Sequence, residues 1–308
     1  MTFFSHLKDH LHTEDLRPID KINIIFSLIL SFIAMLFADR VSAWPYIVGI
    51  NFITSIGIIK LVAFDNGTSN SFSRFVVRWY SLPFIFITFK ELYWMVHPIH
   101  PVDMDYLLIE LDKLIFGHDP TWLLDKFATP ALTEFLQICY SSFYILWIIL
   151  GVDLLSHHQQ RQFDSYFFLL MYGFYLSYIG YLLVPAIGPR FTLHDFSRLD
   201  IDLPGLYLTG FLRHMINSGE SITNISQAAA LAQRDCFPSG HTEMTVLTIL
   251  SSIKFKMRSA MIIIPLGMGL IFATVYMRYH YGVDVIAGLL FAAFAYATAP
   301  MLEKKLSR

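Results

Sequence analysis

Long apolar stretches recur along the whole sequence and constrain its fold more than any other feature. A transmembrane helix needs about 20 predominantly apolar residues, with a range of about 17–25. Eight stretches meet this requirement: residues 22–38, 44–64, 75–96, 131–155, 165–187, 239–255, 259–277 and 284–302. Their apolar residues run continuously, whereas the strands of a membrane barrel alternate apolar and polar residues. The sequence therefore predicts an all-α, polytopic membrane bundle of about eight transmembrane helices.

Composition agrees with a membrane protein and excludes several other classes. Of the 308 residues, 55% are hydrophobic and 15% are charged, and the mean hydropathy is +0.53. A soluble domain usually carries about 25% charged residues. The net charge of −2 offers no basic surface for nucleic acid. Two cysteines exclude a disulfide scaffold and a multi-cysteine metal cluster. No bridge is expected between Cys139, in an apolar run, and Cys236, in a polar loop.

The distribution of lysine and arginine predicts how the bundle is oriented. Cytoplasmic loops of membrane proteins carry an excess of these residues. With eight spans, both ends of the chain fall on the side that holds most of them: Lys8, Arg17, Lys21, Lys60, Arg74, Arg78, Arg161, Lys254, Lys256, Arg258, Lys304, Lys305 and Arg308. We therefore predict that both termini are cytoplasmic. The first span is predicted to be a retained anchor rather than a signal peptide, because Asp39 and Arg40 separate its apolar core from the small residues 41–43.

Three regions follow one another along the sequence. Residues 1–96 form an N-terminal segment with three spans, residues 97–130 an acidic outer segment, and residues 131–308 a core with the other five spans. Apolar residues at helical spacing within 97–130 predict an amphipathic helix that lies in the membrane interface. The core includes a long outer loop, residues 188–238, and loops of that length are usually functional or disordered. Both outer segments are interpreted either as a lid over a site or as plain surface loops.

Polar residues gather at the outer ends of three predicted spans, in residues 184–190, 236–242 and 277–284. Polar groups near membrane helices are costly and are often functional. The predicted topology brings all three groups to the same face of the membrane. These segments are therefore the candidates for a site.

The sequence Pro-Ser-Gly-His at residues 238–241 opens the sixth span. A helix N-terminus offers unpaired backbone N–H groups and the positive end of the helix dipole, which together suit an anion. Gly240 lets a ligand approach the backbone closely, and Ser239 adds a hydroxyl donor. His241 can carry a proton near neutral pH. The alternative interpretation is an ordinary helix cap followed by a structural histidine.

His280 and Asp284 are four residues apart, which places the carboxylate against the imidazole on a helix or turn. Asp284 would then fix the tautomer of His280 and raise the nucleophilicity of its other nitrogen. A structural hydrogen bond is the alternative.

Arg190 and Arg278 supply planar forks of donors that fit phosphate oxygens. The alternative is that these arginines only reach out to lipid headgroups. No catalytic metal is expected, because the His-Glu-x-x-His motif is absent and the histidines lack an obvious third ligand.

Together these residues resemble the type 2 phosphatidic acid phosphatase superfamily, which also includes vanadium haloperoxidases and lipid phosphotransferases. The pattern of that family has three blocks: Lys-x6-Arg-Pro, Pro-Ser-Gly-His and Ser-Arg-x5-His-x3-Asp. The second block matches in full at residues 238–241, and the second half of the third block matches at His280 and Asp284. The resemblance covers roughly residues 131–302 and implies a six-helix phosphatase-like core.

The sequence departs from the family pattern in two blocks. In the first, Leu183 stands at the lysine position and the proline precedes Arg190 instead of following the arginine. In the third, residues 273–274 are Ala-Thr in place of Ser-Arg, and Arg278 would replace that arginine. Three features are similar to the inositol phosphorylceramide synthase-like branch: Arg-Tyr-His-Tyr at 278–281, the Pro-Arg order, and the Phe-Gly-x-x-Pro segment at 116–120. Members of that branch move phosphoryl headgroups between lipids.

The resemblance implies a mechanism that needs no metal and no cofactor. His280 would attack phosphorus and form a phosphohistidine, while Asp284 would hold His280 in place. His241 would protonate the departing alcohol and later activate the acceptor. Four groups would stabilise charge on the equatorial phosphate oxygens: Arg190, Arg278, Ser239 and the Gly240 N–H.

The leading functional prediction is an integral membrane lipid phosphatase that hydrolyses a phosphate monoester or diphosphate on a lipid at the outer leaflet. Its partners are then a lipid phosphate and the bilayer, and the site faces the periplasmic, extracellular or luminal side. One alternative is a phosphotransferase that moves a phosphoryl headgroup, such as phosphoinositol, to a lipid or polyol acceptor. A second alternative is a non-enzymatic lipid transporter or scramblase. The sequence names no protein partner.

Overall fold

The computed structural model describes residues 15–67, 70–222 and 224–308, and every regular element in these ranges is helical. The longer helices are α1 (Pro18–Leu36), α2 (Trp44–Gly67), α3 (Ser71–Trp79), α4 (Ser81–Ile99), α5 (Asp105–Phe116), α6 (Pro130–Ser141), α7 (Phe143–Ser156), α8 (Gln160–Leu183), α9 (Thr209–Gly219), α10 (Gly240–Lys254), α11 (Ala260–Tyr276) and α12 (Gly282–Leu306). Shorter helical turns are Pro120–Leu124, Asp125–Phe127, Pro189–Thr192, Phe196–Arg198, Leu199–Asp202, Ile225–Gln227 and Ala228–Leu231. Lys8, part of the predicted cytoplasmic charge pattern, lies outside the described residues.

The helices make the protein an integral membrane protein of the predicted all-α class. Within the described residues, four helices are long and apolar enough to cross a bilayer, namely α1, α2, α8 and α12. Helices α6 and α7 meet at an angle of 53° and provide a fifth span if they are counted together. The shorter helix α11 is also apolar, over 17 residues.

Each predicted span corresponds to a helix or a helix pair, but the predicted number of eight spans is not confirmed. The predicted span 75–96 is divided between α3 and α4, which are separated at Tyr80. Helix α4 also carries Lys90 and Glu91, and Glu91 accepts a hydrogen bond from Asn51 Nδ2 at 3.0 Å. The predicted span 239–255 corresponds to α10, which has only 15 residues.

Helix α8 forms the centre of the bundle. In its most apolar stretch 78% of the residues are buried, against 22% for α2, which lies at the periphery. Without a hydrophobic driving force between helices in lipid, association depends on close packing at small residues. Gly173 serves this purpose, because a Cβ atom there would lie 2.6 Å from Met244 Cε on α10. The close approach of α8 and α10 positions the N-terminus of α10.

Helix α5 is the helix predicted within the outer segment 97–130. One of its faces is exposed and apolar, with Leu114 80% exposed. Two of its acidic residues lie on the opposite face and are buried, Asp105 and Asp112. They are seven residues apart, so they occupy one side of the helix. Helix α5 is therefore joined to the bundle by carboxylates as well as by apolar contacts.

Candidate active site

The structure brings together the two histidines that the sequence singles out. His241 lies in the first turn of α10, and His280 lies in the turn between α11 and α12. Their ring centroids are 5.7 Å apart, with an interplanar angle of 61°. Both lie at the end of the bundle where α8 ends and α10 and α12 begin. Chain segments that are distant in sequence thus meet at one end, as the predicted topology requires.

The orientation of His280 is fixed through its Nδ1 atom. Nδ1 lies 2.8 Å from the backbone oxygen of Cys236 and 3.4 Å from Asp284 Oδ2. A carbonyl oxygen only accepts, so Nδ1 carries the proton and Nε2 of the neutral ring has a free lone pair. The nearest partner is therefore a backbone carbonyl, whereas the sequence predicts Asp284 for this task.

Asp284 is fully buried and organises the surrounding turn. Its Oδ2 atom accepts from Tyr281 N at 2.8 Å and from Cys236 Sγ at 2.9 Å. Its backbone oxygen accepts from Ser239 N at 3.0 Å. Asp284 thus links the start of α12 to the start of α10, in addition to its longer contact with His280.

His241 is packed between aromatic rings. Its ring lies 4.6 Å from that of Tyr140 and 4.3 Å from that of Phe143, measured between centroids. Tyr140 in turn stacks on Tyr279 at 4.3 Å. In the described part of the chain His241 has no hydrogen-bonding partner for its ring nitrogens. Its half-buried ring is therefore held by stacking, and its nitrogens remain available to a ligand.

Ser239 and Gly240 shape the N-terminus of α10. The Ser239 hydroxyl caps this helix, since its Oγ accepts from Thr242 N at 3.2 Å and from Thr242 Oγ1 at 3.0 Å. A Cβ atom at Gly240 would lie 2.4 Å from the Tyr181 hydroxyl oxygen, so a larger residue there would require the Tyr181 side chain to move. The predicted cap is present, and the Ser239 side chain already has an intramolecular role.

Arg190 reaches the site from the segment that follows α8. Its buried guanidinium pairs with Glu220 through Nη2, while Nε and Nη1 have no partner among the described residues. The aromatic rings of Tyr279 and Phe191 lie 4.5 Å and 4.6 Å from its Cζ atom. Burial alone would lower the pKa of Arg190, but Glu220 and the neighbouring tyrosines raise the pKa above its ordinary value. Arg190 is thus a permanent cation with free donors.

The structure does not place the Arg278 guanidinium at the histidine pair. Nη2 and Nε contact Asp125 at 2.9 Å and 3.3 Å, and Nη1 contacts Asp202 at 3.1 Å. These contacts line a separate cavity of about 420 Å³, which His194 also lines. Only the backbone of Arg278 reaches the site, where its oxygen accepts from Arg190 N at 2.9 Å. Its φ of +64° turns the side chain outward, a conformation that residue type alone does not reveal.

Two buried carboxylates of α5 hold the backbone of the site. Asp105 accepts from Ile187 N at 3.0 Å and from Gly188 N at 2.8 Å. Asp112 accepts from Gly282 N at 2.8 Å and from Val283 N at 2.7 Å, at the N-terminus of α12. Burial raises the pKa of Asp112 to about 6. Neither residue was predicted to belong to the site, although their seven-residue spacing places them on one helix face.

Two further acidic residues near Arg190 were missed because no motif marks them. Glu220 directly follows α9 and binds Arg190. Asp235 precedes the Pro-Ser-Gly-His segment. Burial and the nearby Glu220 raise the pKa of Asp235 to about 6, although His280 and Arg190 act in the opposite direction. The loop that joins α8 to α10 therefore contributes both acids and bases to the site.

Three potential metal-binding atoms lie within 4.8 Å of one another: Cys236 Sγ, His280 Nδ1 and Asp284 Oδ2. All three already have hydrogen-bonding partners inside the group or on its backbone. The thiol donates to Asp284, and Nδ1 of His280 donates to the Cys236 carbonyl. These hydrogen bonds explain why the three residues lie together: Cys236 and Asp284 hold the imidazole of His280 in place.

These features define a membrane-embedded helical bundle in which two histidines, a buried carboxylate and an arginine meet at one end. The chain belongs to the PAP2 superfamily, which matches residues 107–298. It is also 27% identical, over 183 residues, to a PA-phosphatase related-family protein of Dictyostelium discoideum. That alignment covers 54% of this chain and 31% of the relative, so the chain spans about a third of the relative's length. No solved structure matches it significantly. The similarity to the inositol phosphorylceramide synthase-like branch stays a prediction.

Proposed function

We propose that the protein is a lipid phosphatase that hydrolyses a phosphate monoester or diphosphate on a membrane lipid through a phosphohistidine. One observation carries this proposal: His280, whose Nε2 is free, lies beside His241 with ring centroids 5.7 Å apart, and the adjacent Tyr279 packs on Arg190, whose Nε and Nη1 are unpaired among the described residues. A nucleophile, a proton donor and an anion binder are the three parts that phosphoryl transfer requires. Membership of the PAP2 superfamily supports the same reaction class.

The reaction takes place in two displacements. His280 Nε2 donates its lone pair to phosphorus, and the bond from phosphorus to the lipid oxygen breaks. The electron pair of that bond stays on the oxygen, which takes a proton from His241 and leaves as the lipid alcohol. In the second step His241 removes a proton from water, whose oxygen attacks phosphorus. The N–P bond then breaks, its electron pair returns to Nε2, and inorganic phosphate leaves.

Charge on the phosphate is balanced by groups that are already in place. Arg190 offers Nε and Nη1, and its Nη2 is held by Glu220, so the fork is oriented before substrate binds. The N-terminus of α10 adds the backbone N–H of Gly240 and the positive end of a helix dipole. Preorganised donors of this kind usually make the largest contribution to catalysis. Arg278, bound to Asp125 and Asp202, acts instead by holding the backbone between α11 and α12.

The test is phosphate release by the purified full-length protein from a panel of lipid phosphates, including phosphatidate. His280→Ala should reduce turnover by a factor on the order of a thousand or more, because the nucleophile is lost. His241→Ala should reduce it by about 10²–10⁴, the usual contribution of a general acid. The matched control is His157→Ala at the opposite end of the bundle, where the ring is half exposed, and it should retain normal turnover. Near-normal release by His280→Ala would contradict the mechanism.

A phosphotransferase is the second candidate, and the burial of the site favours it. His280 is 4% exposed and Asp284 is fully buried, so bulk water has limited access to a phosphohistidine at this position. A lipid or polyol hydroxyl could then be the acceptor. Adding inositol or ceramide to labelled substrate distinguishes the two reactions: a new labelled lipid or polyol supports transfer, and free phosphate supports hydrolysis. A transporter or scramblase would instead move lipids equally well after His280→Ala.

A further inference from the structure

A cleft of about 360 Å³ lies at the opposite end of the bundle from the histidine pair. It is formed where α8 begins and where α10 and α12 end. These are the same three helices that carry or adjoin the catalytic groups at their other ends. The cleft therefore belongs to the core of the protein, but it is a full helix length away from the proposed reaction.

The sequence of α12 explains why this cleft is open. Ala299 and Pro300 face it, and both have short side chains. Pro300 also lacks a backbone N–H, so one hydrogen bond of the helix is missing beside the cleft. The two residues leave a space between α12 and α8 that larger side chains would fill.

Two cations line the cleft without a carboxylate partner among the described residues. Arg161 lies in the first turn of α8, and Lys254 is the last residue of α10. The Lys254 ammonium lies 5.3 Å from the ring of Tyr296 and 5.7 Å from that of Phe255. The one carboxylate in the lining, Glu303, accepts a hydrogen bond from Ser165 Oγ at 2.8 Å. The side chains that line the cleft therefore carry a net positive charge, and their one carboxylate already accepts a hydrogen bond.

From these observations we propose that the cleft binds the headgroup of a second, anionic phospholipid, distinct from the substrate. Arg161 and Lys254 would bind the phosphate, because Arg offers a planar fork and Lys a point charge for phosphate oxygens. Leu169 and Phe255 would contact the adjoining apolar part of the lipid. Basic pockets between helices at the membrane surface are suited to anionic headgroups. The bound lipid would tie α8, α10 and α12 together on the leaflet opposite to the histidine pair.

The test uses full-length protein in the His280→Ala background, which removes turnover and separates this proposal from the proposed function. Native mass spectrometry and thermal unfolding are measured with phosphatidylglycerol, phosphatidylcholine or inorganic phosphate. We expect phosphatidylglycerol to bind and to raise the Tm, and the double variant Arg161→Gln with Lys254→Gln to weaken that binding at least about tenfold. The matched control is Lys256→Gln, an exposed lysine of the next turn that does not line the cleft; it should bind as the parent does.

Three results would overturn the proposal. One is equal phosphatidylglycerol binding by the parent and the double variant. Another is equal retention of phosphatidylcholine, which would show that the net charge of the lipid is irrelevant. The third is a full Tm increase with inorganic phosphate alone, which would assign the cleft to a free anion instead of a lipid.

Discussion

At the scale of single residues, the two arginines of the site illustrate that the same side chain serves different tasks in different surroundings. Arg190 is buried with two nitrogen atoms unpaired, whereas the guanidinium of Arg278 is bound to two carboxylates. An unpaired buried donor costs free energy that a phosphate oxygen would recover on binding. Arg190 is therefore the better candidate for substrate binding, and Arg278 for holding the turn.

Substitution of the two arginines by lysine separates these tasks. Arg190→Lys keeps the charge but loses the planar fork, so KM for a lipid phosphate should rise about tenfold or more, equivalent to about 1.4 kcal/mol. Arg278→Lys should lower the Tm with a smaller effect on KM, because it weakens the bonds to Asp125 and Asp202. Steady-state kinetics and thermal unfolding of both variants provide the measurement. A larger rise in KM for Arg278→Lys than for Arg190→Lys would indicate that Arg278 binds the phosphate.

Glu220 is expected to act through Arg190 as a positioning residue. Glu220 binds Nη2 of Arg190, while Nε and Nη1 of Arg190 have no partner among the described residues. Glu220→Gln removes the charge but keeps an acceptor oxygen, so KM should rise several-fold while kcat changes little. Glu220→Ala should have a larger effect on KM in the same direction. A fall in KM for Glu220→Gln would show instead that this carboxylate competes with the substrate for Arg190.

Asp235 should make the stability of the protein depend on pH. Its pKa is raised to about 6 in the folded state, against about 3.9 in an unfolded chain. Between these values the folded state retains a proton that the unfolded state has lost, so this contribution to stability is present below about pH 4 and is lost as the pH rises through about 6. Asp235→Asn has no carboxyl group to titrate, so the stability of this variant should fall less than that of the parent as the pH rises. Thermal unfolding from pH 4 to 7 measures it, and identical pH profiles for variant and parent would contradict the assignment.

The histidine pair of the site could be found from the sequence, whereas its supports could not. His241 and His280 belong to short motifs with fixed spacing, and the helix ends that carry them could be predicted from hydrophobicity. The direction of the Arg278 side chain depends on a positive φ, and an arginine in the sequence gives no indication of that backbone conformation. Glu220 and Asp235 reach the site through a long irregular loop, whose path depends on tertiary contacts and not on any local pattern.

At the scale of helices, α5 is a structural support of the site. Its carboxylates bind backbone N–H groups of two segments that flank the histidine pair. The apolar spacing predicted an amphipathic helix here, but nothing in the sequence pattern gave its acidic residues a role in the site. Asp105 and Asp112 face the protein because the N-terminus of α12 and the segment before Arg190 present donors that need partners.

Removal of one of these carboxylates should destabilise the protein. Asp112→Ala leaves the N–H groups of Gly282 and Val283 without a partner, and each buried unsatisfied group costs about 1–3 kcal/mol. We expect a lower Tm and reduced turnover, with a milder effect for Asp112→Asn, which keeps one acceptor oxygen. Glu110→Ala on the exposed face of α5 is the control and should match the parent. Equal Tm values for Asp112→Ala and Glu110→Ala would show that the bonds contribute nothing.

The helices themselves were predicted better than the number of membrane spans. Apolar runs locate the helices of the predicted spans, since burial in lipid or in the bundle requires apolar side chains in both cases. The same runs do not distinguish a helix that crosses the bilayer from one that packs inside the protein. Helix α10 shows this difference, because its fifteen residues include buried polar side chains such as Thr242 and Glu243. Such a helix is stabilised by its neighbours and not by contact with lipid.

At the scale of the whole molecule, the two ends of the bundle differ in chemistry. One end holds the histidine pair and the long loop between α8 and α10. The other end holds the proposed lipid cleft and the basic turn that follows α10, with Lys256 and Arg258. Cytoplasmic segments are enriched in such basic residues. This asymmetry predicts that the reaction takes place on the non-cytoplasmic side, where the lipid substrate must present its phosphate.

Cysteine labelling of the full-length protein in a bacterial inner membrane tests this orientation. Both native cysteines are buried, so they should give little background with a membrane-impermeant maleimide. Tyr207, which is 88% exposed in the loop between α8 and α10, marks the end with the histidine pair, and exposed Lys256 marks the other end. Tyr207→Cys should be labelled in intact spheroplasts, whereas Lys256→Cys should be labelled only after permeabilisation. The reverse pattern would place the histidine pair on the cytoplasmic side, and the substrate would then have to come from the inner leaflet.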